Sequence, residues 1–127
     1  MRKIKFRAWI VDEEKYYHNV QNTYDYIDWF NTGDEPAPFV CFGHMLNDKN
    51  IIIEQYTGIP DKNKKEICEG DIVKMDGLYY LIKWDDEGGK WCMSLERDWM
   101  DYLFLTKKKA PFMEIIGNIH ENGELLK

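Results

Sequence analysis

Residues 55–74 read QYTGIPDKNKKEICEGDIVK and contain the clearest turn and strand-entry signals in the chain. Pro60 and the polar residues after it indicate a turn up to Lys65, because proline and asparagine favour turns and interrupt strand pairing. Beyond this turn, Gly70 permits a sharp change of chain direction, and the Asp71 carboxylate can accept hydrogen bonds from nearby backbone amides. The isoleucine and valine that follow are expected to enter a core, which is how many SH3-like small barrels begin a strand.

The N-terminal residues alternate between apolar and mainly cationic side chains, which is the period of two expected for a half-buried strand. The apolar set is Ile4, Phe6, Ala8 and Ile10, and the alternating set is Lys3, Lys5, Arg7 and Trp9. We expect the cationic face of Lys3, Lys5 and Arg7 to be solvated and to protect a sheet edge, as edge lysines often do. Contact with an anionic ligand is the alternative use of this face.

Further short apolar runs separated by turn residues predict an antiparallel, barrel-like sheet. The predicted strands cover residues 39–42, 51–56, 79–84, 90–93 and 113–119, with turns at residues 47–50 and 85–89. Helical spacing predicts short helices at residues 23–30 and 95–103, and residues 33–38 predict a loop that contains two prolines. The sequence therefore predicts a mainly β protein of the α+β class with one or two short helices. We expect a small antiparallel SH3-like barrel with an N-terminal strand extension, in a single domain over residues 1–127.

Charge and cysteine content limit the classes of partner and compartment. The chain of 127 residues has a net charge of −6, so on average it is repelled by phosphate backbones and anionic membranes. No long apolar segment is present, so neither export nor membrane spanning is expected. Cys41, Cys68 and Cys92 are an odd number and far apart, which favours free, mostly buried thiols in a reducing compartment. We therefore expect a cytoplasmic protein.

The residue types that carry chemistry do not occur here at the spacings that chemistry requires. Residues 61–72 begin like a calcium-binding EF-hand loop, but Lys65 occupies a ligand position and Ile72 stands where the bidentate Glu is needed. The acidic cluster at residues 85–87 is expected to be a solvated turn, because hard cations normally take ligands from several segments. Ser94 is the only serine and lies outside a nucleophile elbow. We expect no catalytic residue, no cofactor, no metal site and no enzymatic activity.

Four segments spread over nearly the whole chain carry a resemblance to a known family. They read IKFRAW at residues 4–9, QYTGIPDKN, KEI and EGDIV within residues 55–73, YLIKW at residues 80–84, and IIGNIHEN at residues 115–122. In this order they resemble the YopX-like family of bacteriophage and prophage proteins. The resemblance implies an intracellular, phage-encoded protein with a small-barrel portion and no established activity, and it supplies no catalytic residues.

Two differences from the family pattern concern residues 64, 68 and 120. The family usually has Gly where this chain has Lys64, and a Lys in a left-handed turn position costs roughly 1 kcal/mol. We therefore expect a different, longer turn between Pro60 and Glu66. Cys68 and His120 stand where Tyr is more common, and we interpret both as packing variation.

Two functional hypotheses remain. The first is a non-enzymatic phage accessory protein whose surface binds another protein or a second copy of itself, since 15% of the residues are aromatic and no reaction chemistry is evident. The alternative, less favoured because of the acidic net charge, is a nucleic-acid-binding barrel that combines loop lysines with exposed aromatics such as Tyr56 or Tyr79. The loop lysines of this alternative are Lys62, Lys64, Lys65, Lys107, Lys108 and Lys109.

Overall fold

The structure, a computed structural model, describes residues 4–22, 42–95 and 102–126. These residues form nine strands: β1 (Phe6–Ile10), β2 (Lys15–His18), β3 (Ile51–Pro60), β4 (Glu66–Cys68), β5 (Asp71–Met75), β6 (Leu78–Asp85), β7 (Lys90–Ser94), β8 (Tyr102–Phe104) and β9 (Glu114–Asn118). They also form two short α-helices, Phe42–Met45 and Ile119–Asn122, and three 3₁₀ helices, Val20–Asn22, Ala110–Phe112 and Gly123–Leu126. The predicted mainly β fold with one or two short helices is confirmed.

The chain divides into two compact units at the middle of β3. The first unit extends to Gln55 and the second begins at Tyr56. In the first unit the strand order is β2-β1-β3, and in the second the remainder of β3 pairs with β4 beside a five-stranded sheet of order β8-β7-β6-β5-β9. All of the strand pairs are antiparallel. A single domain over residues 1–127 stays a prediction.

In the first unit, β1 is the central strand and its alternation has the predicted effect. Ala8 and Ile10 are buried together with Val20 and Met45, and Phe6 packs against this core. The prediction for the opposite face is wrong for Arg7, which is only 7% exposed and lies between two neighbouring strands, not at a sheet edge. The cause is tertiary, because β2 and β3 pair on the two sides of β1.

The five-stranded sheet of the second unit is a run of hairpins closed by β9. Its core contains the buried residues Ile67, Val73, Tyr80, Ile82, Met93, Leu105, Ala110 and Met113. The β5–β6 turn is an Asp76-Gly77 pair with φ of 53° and 78°, the sequence and backbone favoured in two-residue hairpins. Asp85 and Lys90 pair at the end of the β6–β7 hairpin, which confirms the turn predicted at residues 85–89.

The glycine-aspartate pair before β5 acts as the sequence indicates. Gly70 has a φ of 86°, and its N–H donates to the Ile82 carbonyl at 2.8 Å. The Asp71 carboxylate accepts a hydrogen bond from the Cys68 N–H at 2.8 Å, and Ile72 and Val73 are fully buried. These contacts confirm the expected strand entry.

The other glycine of residues 55–74, Gly58, lies at an irregularity in β3. Its φ is 81°, and the pairing of β3 with β4 shifts register between Tyr56 and Pro60. The Thr57 hydroxyl donates to the Ile67 carbonyl at 2.8 Å and accepts from the Ile59 N–H at 3.1 Å. A buried threonine therefore satisfies the backbone groups that the bulge displaces.

The turn after β3 is longer than the two-residue turn of an Asn-Gly hairpin, as expected. Pro60 pairs with Glu66, the Asp61 N–H donates to the Lys65 carbonyl at 2.7 Å, and the Lys64 N–H donates to the Asp61 carbonyl at 3.0 Å. Lys64 nevertheless has a φ of 65°. This is a three-residue hairpin loop that ends in a left-handed residue, the position for which glycine is best suited.

Three local predictions are wrong at their described residues. Phe42 belongs to a helix, where its ring centre lies 5.0 Å from that of Phe6 with the ring planes tilted by 40°, and Met45 of the same turn reaches the core. Residues 102–104 form β8 because pairing with β7 outweighs their helical spacing. Ile119 begins a helix, since the Asn118 side chain accepts from two N–H groups of the next turn. The predictions for residues 23–30, 33–38, 39–41 and 96–101 lie outside the described residues.

None of the helices in the described ranges is long and apolar enough to cross a lipid bilayer.

Candidate nucleic-acid interface

The two thiols in the described ranges are buried inside the protein. Cys68 and Cys92 are free and buried, which confirms the prediction for these two residues, and Cys41 lies outside the described ranges. Burial raises the pKa of the Cys92 thiol, and Asp85 acts in the same direction while Lys83 and Lys90 oppose it. Because the thiolate is the reactive form, Cys92 is a poor nucleophile at neutral pH.

The carboxylates that looked suitable for metal binding are used in turns. Asp61 lies in the loop that resembles an EF-hand, and its carboxylate accepts three backbone hydrogen bonds, from Asn63, Lys65 and Ile115. Asp85 accepts one from the Glu87 N–H within its own hairpin loop. In the part of the chain that the structure describes, no group of three or more His, Cys, Asp and Glu residues is placed to hold a metal ion.

A buried ion pair in the first unit escaped the sequence analysis. Arg7 Nε lies 2.9 Å from Glu54 Oε1, and the Tyr16 hydroxyl donates to the same oxygen at 2.8 Å. The guanidinium carbon of Arg7 is 4.2 Å from the centre of the Tyr16 ring. The sequence feature that could have indicated this ion pair is Glu54, a charged residue directly after three isoleucines. Arg7 and Tyr16 both contact Glu54, so the three side chains form one cluster across neighbouring strands.

His18 stands beside this ion pair, stacked 5.9 Å from the Tyr16 ring. Burial lowers the pKa of His18 below its usual value of 6.5, and the positive charge of Arg7 lowers it further. The histidine is therefore predominantly neutral at neutral pH. His18 is exposed on the edge strand β2, where its ring stacks on that of Tyr16.

The predicted lysine segments converge in the second unit around the 3₁₀ helix Ala110–Phe112. We call the six loop lysines (62, 64, 65, 107, 108 and 109) together with Phe112 the lysine surface. A cavity of about 240 Å³ is lined by Ile59, Pro60, Asp61, Lys62, Lys107, Ala110 and Pro111. A second, open groove of about 400 Å³ is lined by Met75, Asp76, Lys108, Lys109 and Phe112. Lysines from two distant segments thus line one cavity, and their neighbours line a groove beside the same helix.

Backbone hydrogen bonds place the two lysine segments. The Lys62 N–H donates to the Met113 carbonyl at 2.9 Å, which fixes the β3–β4 turn beside the end of the 3₁₀ helix. On the other segment, the Ala110 N–H donates to the Thr106 carbonyl at 3.1 Å and the Thr106 hydroxyl accepts from the Lys109 N–H at 3.2 Å. Backbone hydrogen bonds therefore hold both segments in place.

The charges of the surface are only partly balanced by its own carboxylates. Lys62 forms an exposed ion pair with Glu114 at 3.0 Å, and Lys109 Nζ donates to the Phe104 carbonyl at 3.0 Å. Asp61 is buried, while Asp76 lines the second groove. The other four lysines, Lys64, Lys65, Lys107 and Lys108, are exposed.

The aromatic residue of this surface differs from those proposed from the sequence. Tyr56 and Tyr79 are half-buried, and the Lys74 ammonium lies 5.9 Å from the Tyr79 ring centre. Phe112, by contrast, is 72% exposed. The sequence signal was weak, because Phe112 and Met113 both follow Pro111 and nothing in the local sequence shows which of them is exposed. Lys64 and Lys65, at the tip of their turn, do not line either groove.

These features define a mainly β protein of two compact units, with structural carboxylates and a lysine-bearing surface on the second unit. The chain belongs to the YopX family, since the family model described as YopX protein matches residues 5–127. Its structure is similar to the crystal structure of protein EF1440 from Enterococcus faecalis, with a TM-score of 0.64 and 25% sequence identity over 100% of both chains. Curated proteins gave no sequence match.

Proposed function

We propose that the chain is a non-enzymatic binding module whose lysine surface contacts the phosphate groups of a nucleic-acid strand. The observation that carries the proposal is the convergence of Lys62 with Lys107 in one cavity, next to the groove of Lys108 and Lys109. Proteins that bind nucleic acid place such lysines along a continuous path, because the phosphates are closely spaced along the backbone.

The net negative charge of the whole chain is a weaker argument against nucleic-acid binding once the positions of the individual charges are known. At physiological ionic strength, exposed charges farther apart than about 8 Å are largely screened, so the charges near the contact dominate. Near this contact, the Asp61 carboxylate is buried in backbone hydrogen bonds, and Glu114 and Lys62 pair with each other. We therefore expect the phosphate contacts mainly from Lys107 and Lys108. Asp76 is the remaining carboxylate that lines the second groove, and it should weaken phosphate binding.

The non-enzymatic part of the proposal is supported by the roles of the buried ionisable groups. Glu54 is matched by Arg7, and Asp61 and Asp71 accept backbone hydrogen bonds. Each of these carboxylates is therefore accounted for by the fold.

Charge reversal on the lysine surface tests the proposal. We expect K107E/K108E to abolish binding of a fluorescently labelled oligonucleotide in an anisotropy titration at low salt. The matched control is K15E/K49E, which makes the same charge change at two exposed lysines of the first unit. Undetectable binding by the wild-type protein at low salt, or equal losses in the two variants, would contradict the proposal.

A protein partner is the second candidate, favoured by an observation on β8. This strand is at one edge of the five-stranded sheet, and Leu103 and Phe104 on it are 39% and 48% exposed. Sheet edges with large apolar side chains are sites of strand addition by other chains. If the partner is a second copy, sedimentation should show association that L103S/F104S removes. If the wild-type protein and L103S/F104S both sediment as monomers at high concentration, self-association is excluded.

We further infer a phage or prophage origin, a place in the cytoplasm of a bacterial host, and an SH3-like barrel for the second unit. The family resemblance supports the origin, and the free thiols of Cys68 and Cys92 are compatible with a reducing compartment. The consecutive hairpins from β5 to β8 support a small barrel. Recovery of the protein with its thiols reduced in the cytoplasmic fraction of a lysogen would check the location.

A further inference from the structure

We propose that the lysine surface selects single-stranded over duplex nucleic acid, and that the Phe112 ring is the platform on which an unpaired base stacks. This inference rests on the proposed function and adds the class of strand and the residue that distinguishes it. It would apply to single-stranded DNA and RNA alike, since every base has a face that can stack on an aromatic ring.

The exposure of Phe112 is the first observation behind this inference. At 72% it is the most exposed of the large apolar side chains among the described residues. Burial of a phenylalanine ring is favourable, and this ring lies in one groove with Lys108 and Lys109, so it is an uncovered apolar surface beside cationic residues. Covering this ring with a base would remove apolar area from water.

The second observation is that the backbone carrying the ring is fixed. The Phe112 N–H donates to the Lys109 carbonyl at 2.9 Å, and the Met113 N–H donates to the Ala110 carbonyl at 3.0 Å. Ala110 and Met113 are themselves buried in the core on either side of the exposed segment. A ring on such a support loses little conformational freedom when a base stacks on it.

The third observation is the composition of the groove beside the ring. Lys108 and Lys109 line it together with Met75, so cationic residues and an apolar side chain border the same open groove. A single strand can place a base on the ring and its phosphates near the lysines. A duplex keeps its bases stacked on one another inside the helix, which leaves the ring without a partner.

Asp76 supplies an independent prediction from the same groove. The negative charge of Asp76 would repel an anionic ligand in the groove that this residue lines. Its φ of 53° is a conformation that asparagine also tolerates. Asp76→Asn should therefore strengthen single-strand binding while keeping the β5–β6 turn. Asp86→Asn, at an exposed acidic residue of another hairpin loop, is the matched control and should leave binding unchanged.

The decisive experiment measures anisotropy of a labelled oligothymidylate and oligouridylate of about 15 nucleotides, each against the corresponding duplex, over a series of salt concentrations. We expect both single strands to bind more tightly than their duplexes. Phe112→Ala should weaken single-strand binding roughly tenfold, whereas Phe112→Trp should retain it. Phe104→Ala, which removes another exposed phenylalanine, should have little effect.

The salt series separates the two proposals. Lys108→Gln should reduce the slope of log affinity against log salt by about 0.7, the value for one lost phosphate contact on a single strand. If Phe112→Ala binds like the wild type, or if duplexes bind as tightly as single strands, the stacking inference is wrong even when the lysine variants weaken binding. If the lysine variants also bind like the wild type, the proposed function is wrong as well. Thermal unfolding of each variant verifies that the fold is retained.

Discussion

The carboxylate of Asp61 accepts a hydrogen bond from the backbone N–H of Ile115 at 3.0 Å, which joins the β3–β4 turn to strand β9. The other carboxylate oxygen accepts from the N–H groups of Asn63 and Lys65, both at 2.9 Å. One buried side chain therefore shapes the turn that carries three lysines and attaches it to the core.

Asp61→Ala should lower the free energy of unfolding by about 2 to 4 kcal/mol. The substitution leaves three backbone N–H groups without their acceptor, and hydrogen bonds to a charged group contribute about 1.5 to 3 kcal/mol each, with partial rescue by water. Urea unfolding followed by tryptophan fluorescence measures the change. Asp86→Ala removes an exposed carboxylate and is the control. Equal stability of the two variants would show that the Asp61 contacts contribute little.

Lys64→Gly should raise the free energy of unfolding by roughly 0.5 to 1 kcal/mol. A non-glycine residue in the left-handed region costs about 1 to 2 kcal/mol, and the greater freedom of glycine in the unfolded chain offsets part of that gain. Lys65→Gly is the control, because Lys65 is not among the residues with positive φ and should lose stability on substitution. A loss of stability in Lys64→Gly would mean that the turn changes conformation in solution.

The neutral state of His18 predicts a dependence of stability on pH. Its pKa is lower in the folded protein than in the unfolded chain, because of burial and then the charge of Arg7. The unfolded chain therefore binds the proton more tightly, so the contribution of His18 to stability is complete above about pH 6.5 and declines as the pH falls towards the folded pKa.

His18→Gln should reduce this loss of stability, measured as the change in urea midpoint between about pH 7.5 and pH 5. His44→Gln, at an exposed histidine, is the matched control. An unchanged pH dependence in His18→Gln would show that other groups dominate the acid response.

The burial of the two described thiols predicts that they react slowly in the folded protein. The variant Cys41→Ser removes the third cysteine, so that labelling reports on Cys68 and Cys92 alone. With a thiol reagent at about pH 8, we expect labelling to follow unfolding, since burial both raises the Cys92 pKa and blocks access. Rapid labelling of two thiols per chain without denaturant would contradict this arrangement.

The sequence predicted those parts of the fold that depend on neighbours along the chain. The alternation at residues 6–10 identified the buried face of β1, and the Gly70-Asp71 pair identified the start of β5. Backbone preferences of glycine and the reach of a short carboxylate are local properties, so they can be inferred without knowing the rest of the structure. The helix prediction for residues 102–104 was wrong, because pairing with β7, a distant part of the chain, decides their conformation.

The candidate site shows the same division between sequence and tertiary structure. From the sequence we predicted lysines in turns and free, mostly buried thiols, which is confirmed for Cys68 and Cys92. The fold was needed to find that Lys62 and Lys107 line one cavity, that Phe112 is exposed beside Lys108, and that Arg7 is buried against Glu54. These contacts join residues far apart in the chain, and strand pairing brings them together. Composition and periodicity report each residue's local environment, whereas a binding surface depends on which distant segments become neighbours.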